Sequence, residues 1–61
     1  MRTLDWKAKE EYASGLSVLE LRFAIADCLE AARNFTRTEL EGYYHDEASV
    51  YRAELKRREA R

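Results

Sequence analysis

Ser17-Val18-Leu19-Glu20 has the form of a capping box, and the pattern after it constrains this chain more than any other feature. A serine oxygen at the N-cap accepts the backbone N–H three residues on, and the glutamate there reaches back to the serine N–H. Leu16 stands just before it, where a hydrophobic staple begins. Val18, Leu21, Ile25, Cys28, Leu29 and Ala32 then recur at spacings of three and four, so they share one stripe of a helix. Leu19, Phe23 and Ala26 form a second stripe beside it, while Glu20, Arg22, Asp27, Glu30 and Arg33 take most of the remaining face. The apolar arc is wider than one partner helix covers, which predicts a subunit interface on this helix.

A second helical pattern follows Asn34-Phe35. Thr36-Arg37-Thr38-Glu39 reads as another capping box, with Thr38 and Glu41 as a rival start. Leu40, Tyr44, Ala48 (or Glu47), Tyr51 and Leu55 recur at a spacing near four, with Tyr43 and Val50 in a second row. Gly42 weakens the first turn by about 1 kcal/mol against alanine, which leaves Tyr43 as an alternative beginning of the regular helix. Acids lead this segment and bases close it, which complements a helix dipole. The predicted main helices span about 17–34 and 38–60. A connection of a few residues makes them an antiparallel hairpin over 16–61.

Before the hairpin, Leu4, Ala8 and Tyr12 are spaced by four, and Trp6 and Ala13 by seven. This predicts a short helix from about Thr3 to Ser14 within residues 1–15, ended by Gly15 in a left-handed cap. Its Trp and Tyr would pack on the hairpin; a mobile arm is the alternative. The whole is one all-α domain, 1–61.

A core in 61 residues is thin, and small domains reinforce it with disulfides, a metal or self-association. Cys28 is the only cysteine and His45 the only histidine, which removes an intrachain disulfide and leaves no four-ligand zinc set. Self-association remains. A homo-oligomer, a dimer in the first instance, is expected to form a helical bundle through Val18, Leu21, Ile25, Leu29, Tyr44, Tyr51 and Leu55. Twelve acids against eleven bases argue against a surface made wholly for nucleic acid. No apolar run is long enough to span a bilayer, and the chain's first residues lack the apolar stretch of a secretory signal. With one unpaired cysteine, the expectation is the cytoplasm and no membrane.

Few residues invite chemistry. Tyr43-Tyr44-His45-Asp46-Glu47 gathers the histidine, two acids and two phenols, and Glu41 is four residues from His45. Neither a metal-ligand count nor a nucleophile–base–orienter set is complete there, so Tyr44 is read as core and the charges as a solvated first turn. Cys28 lies inside the apolar stripe and reads as a small buried hydrophobe. No catalytic residue, metal ligand or cofactor is expected, and the chain is read as a binder, not an enzyme. The candidate anion- or partner-binding residues are Arg52, Lys56, Arg57 and Arg58, with Arg61 beyond them, and the aromatics Tyr43 and Trp6. Arginines grip phosphates and acidic partners, and aromatics stack on bases or anchor interfaces.

The run from Leu21 to Ala32 (Leu-Arg-Phe-Ala-Ile-Ala-Asp-Cys-Leu-Glu-Ala-Ala), then Gly42-Tyr43-Tyr44-His45-Asp46-Glu47 and Tyr51-Arg52-Ala53-Glu54-Leu55-Lys56-Arg57-Arg58, resembles small uncharacterised helical proteins of tailed phages and prophages, including short early-region reading frames of lambda-type phages. The resemblance covers about two thirds of the chain, from Leu19 to Arg58, and is most specific at Gly-Tyr-Tyr-x-Asp-Glu and the distal Glu-Leu-x-Arg-Arg. The segment with Trp6 has no counterpart in it. It implies an early protein that modulates host or phage development by binding a host or phage protein without covalent chemistry, in the host cytoplasm. It supplies no catalytic residues. The alternative from the residues is a nucleotide or nucleic-acid binder that uses the arginine-rich end across an oligomer.

Overall fold

A computed structural model describes residues 3–60. Met1, Arg2 and Arg61 lie outside it, and with Arg61 goes one charge of the basic end. The described chain is three helices with no strand: α1 (Trp6–Ser14), α2 (Val18–Asn34) and α3 (Glu39–Glu59). α3 is the central element. α2 packs along it as a hairpin and α1 packs on it separately, while α1 and α2 scarcely touch each other.

Local chemistry sets each boundary. Asp5 caps α1 by accepting the Ala8 N–H at 3.1 Å, so the helix starts at Trp6 and not at Thr3. The expected left-handed cap at Gly15 does not form: its φ is −90° and its ψ −4°. The Gly15 and Leu16 amides bond back to Tyr12 and Ala13 at 3.1 Å each, and this right-handed turn delivers the chain directly to Ser17. The Ser17 box forms in full, with Glu20 N–H to Ser17 Oγ at 3.1 Å and Ser17 N–H to Glu20 Oε1 at 2.8 Å. The Ser17 backbone N–H, and after it the Ser17 side chain, hold the Glu20 carboxyl below its usual pKa.

Between α2 and α3 the Thr36–Glu39 box does not form. Thr36 donates its hydroxyl back to the Arg33 carbonyl at 2.7 Å. Thr38 is the N-cap, but its hydroxyl donates to the Phe35 carbonyl, so Glu41 closes the turn by accepting the Arg37 N–H at 3.1 Å. Arg37 has a φ of 68°, the left-handed conformation that reverses the chain here. α3 runs through Gly42 without interruption, since Glu41 and the turn before it secure the first residues.

Leu4, Ala13, Leu21, Cys28, Ala48, Val50 and Tyr51 form one buried cluster, bordered by half-buried Leu16, Ala24, Ile25, Leu29, Tyr43 and Leu55. Of the predicted core and interface residues, Leu21 and Tyr51 are buried within the single chain and Ile25, Leu29, Tyr44 and Leu55 are half-buried. Val18 opens α2 where the helix–helix seam ends and is 43 % exposed.

Candidate functional site

Three surfaces carry the residues singled out by sequence, and the structure treats each differently. The first is the basic end of α3. Glu54, among these bases, is buried. Its carboxylate accepts from Arg57 Nη2 at 2.7 Å and from Arg58 Nε at 2.9 Å. Arg58 reaches further, donating Nη2 to the Ala13 and Ser14 carbonyls at 3.2 Å each. Those carbonyls lie at the C-terminal end of α1, where a cation complements the dipole. The two arginines hold the Glu54 carboxyl below its ordinary pKa. Spacings of three and four bring both arginines back over Glu54; Arg58 is partly buried against the end of α1, while Arg57 stays 56 % exposed. Arg52 and Lys56 are exposed.

Trp6 and Tyr43 come to one hollow, at the other end of α3. They line a hollow of ≈ 390 Å³ with Thr3, Leu4, Thr38, Glu39, Gly42 and Asp46. Thirteen residues separate Tyr43 from Lys56, about 20 Å along a helix, so these aromatics and the basic end form no common patch. Phe35 stacks on Tyr44 at 5.9 Å, and Tyr43 meets Tyr44 edge-on at 5.5 Å.

A second cluster was not legible in the sequence. Glu47 was placed among solvated charges, yet its side chain is only 14 % exposed. It accepts from Lys9 Nζ at 2.9 Å and from Tyr51 Oη at 2.7 Å, both on Oε2. Tyr12 packs edge-on against Tyr51 at 6.5 Å, with Lys9 over the Tyr12 ring at 5.5 Å. The hydrogen bond to Glu47 raises the Lys9 pKa, and burial followed by Glu47 raises that of Tyr51. Cys28 lies beside this group, and burial, then the Glu47 charge, pushes its thiol up to about 11. The thiol is protonated at neutral pH and is a poor nucleophile. The spacing of four between Glu47 and Tyr51 within α3 is visible in the sequence; the partner 38 residues away, Lys9, is not.

Next to this cluster α2 and α3 part into a cleft of ≈ 330 Å³, lined by Ala24, Asp27, Cys28, Ala31, Tyr44, Glu47 and Tyr51. Among the described residues no cluster of His, Cys, Asp and Glu could hold a metal ion, and no helix is long and apolar enough to cross a membrane.

The third surface is the outer side of α2. Leu19 and Phe23 each lie two residues from buried Leu21, a rotation of about 200° that puts them opposite the core. Both are 63 % exposed, and Ala26 is exposed below them. No family model, curated protein or solved structure matches this chain. The functional reading therefore rests on these surfaces.

Proposed function

We propose that the chain is a non-catalytic interaction protein that binds a protein partner through the outer face of α2. One observation carries this: Leu19 and Phe23 stand one helical turn apart, both 63 % exposed, on a face no other helix covers. Helix pairs of this kind dock into apolar grooves or against another helix. Self-association through the same face, as a dimer, is one form of the reading, and it would relieve a core too thin for the chain length. The resemblance to small phage and prophage proteins supports a partner in the host or in phage development. The anion-binding alternative is weaker, since Arg57 and Arg58 already serve Glu54.

The test is a Leu19→Glu/Phe23→Glu double variant. Both side chains are exposed, so the helical circular dichroism and melting temperature should stay close to those of the parent, within about 1 kcal/mol of stability for two surface changes. Self-association in light scattering and partner capture should both be lost. A variant that folds and still assembles or captures as the parent does would overturn the reading.

A further inference from the structure

The cleft between α2 and α3 is distinct from the outer α2 face, and its chemistry is unlike that face. Its far wall is small and apolar: Ala24, Ala31 and Cys28, all from α2. Its floor is α3, with Tyr44, Glu47 and Tyr51; Tyr44 is half-buried, while Tyr51 is 2 % exposed and offers little surface. Asp27, exposed, adds a second carboxylate at the mouth. The lining holds no cation of its own; Lys9, outside it, already pairs with Glu47 through Oε2, which leaves Asp27 as the carboxylate without an ion pair among the described residues. Tyr51 uses the same oxygen, so Oε1 takes part in neither bond.

Both rings are fixed before any ligand arrives. Tyr44 is held between Phe35 and Tyr43, and Tyr51 by its hydroxyl bond and by Tyr12. Fixed aromatic faces beside carboxylates favour cations and repel anions. The alanine wall suits a straight hydrocarbon stem. A volume of ≈ 330 Å³ is at the small end of ligand sites, about 300–1,000 Å³.

We infer that this cleft binds an organic cation on an aliphatic stem, an ammonium or guanidinium, with the stem along Ala24 and Ala31 and the charged head among Glu47, Asp27 and the tyrosine rings. Such a group is offered by a free alkylamine or by a lysine or arginine side chain of another protein. The inference stands apart from the proposed interaction face and does not require it.

Titration of the full ¹⁵N-labelled chain with n-butylammonium and n-butylguanidinium, followed by amide chemical shifts, tests it. Saturable shifts are expected at Ala24, Asp27, Cys28, Ala31 and Glu47. 1-Butanol and butyrate, of the same length, should bind about tenfold more weakly, the combined worth of an exposed ion pair and a cation–ring contact. Ala31→Leu fills the cleft and should weaken the ammonium by at least about tenfold through lost stem burial. Asp27→Asn, at an exposed position that does not threaten the fold, should weaken it by about threefold. Lysine blocked at both backbone ends separates the sources: binding equal to n-butylammonium indicates a protein side chain, whereas its exclusion while the free amine binds indicates a small amine. Butanol binding as tightly as the ammonium, shifts that do not saturate or map elsewhere, or an affinity unmoved by both substitutions would overturn the inference.

Discussion

α1 and α2 are both attached to α3, but by different physics. α2 is held by apolar burial: Leu21, Cys28 and Ala32 are sealed, and the α2–α3 seam needs no ion pair. α1 contributes only Ala13 from within the helix, and Leu4 from just before it, to the buried set. Its other ties are polar: Lys9 to Glu47 near its start, and Arg58 to its last carbonyls. Burial is insensitive to pH and salt, while partly exposed ionic ties depend on both. The hairpin is therefore the fold, and α1 is an attachment whose strength the solution sets.

The strongest way to break this comparison is Leu21→Ala. Leu21 is fully buried, and such truncations cost about 2–5 kcal/mol. A chain of this size has only about 3–9 kcal/mol in total, so the thermal transition followed by circular dichroism should collapse or vanish. Arg58→Ala should do something smaller and more local. It removes the donor to two carbonyls and one partner of Glu54, for a loss of about 1–3 kcal/mol. Amide exchange should accelerate across α1 and hardly change in the middle of α2. Equal acceleration in both would show that α1 is part of the core after all.

pH should separate the two attachments without any substitution. Glu54 has a depressed folded pKa, so its contribution is present above the unfolded value, about 4.3, and is lost as pH falls through the depressed value. Lys9 and Tyr51 have raised folded pKa values, so theirs are complete below about pH 10 and are lost as pH rises through the raised values. Exchange protection of α1 should therefore fall at both extremes before that of α2, and 0.5 M salt should bring the acid edge closer to neutrality. The smallest effect is a control. A methyl group at Gly42 would meet nothing within 4 Å, so Gly42→Ala should add about 1 kcal/mol of helix propensity to α3. It should raise the melting temperature by about 4–8 °C without altering the relative protection of α1 and α2.

The sequence made the hairpin legible because its signals are local. Ser17 and Glu20 are three residues apart, and the stripe from Leu21 to Ala32 repeats within a turn, so the physics that forms α2 lies inside the segment. The linker is less legible, because Thr36, Thr38 and Glu41 take three different backbone partners, Arg33, Phe35 and Arg37, and neither threonine caps α3 with its side chain. The start of α1 is less legible because Asp5 caps it alone, with alanine, not glutamate or glutamine, at position 8.

What the sequence by itself determined was the class of the fold, two main helices with their turn, and the presence of more apolar surface on α2 than one neighbour covers. Periodicity and caps encode these directly. Only the tertiary structure decided where the charges go. Arg57 and Arg58 both bond Glu54, and Arg58 also bonds the end of α1; Glu47, expected among solvated charges, anchors Lys9 and Tyr51. A charged side chain acquires its role from the partner it reaches across the fold, and that partner may stand 38 or 45 residues away. Helical periodicity carries no information over such separations.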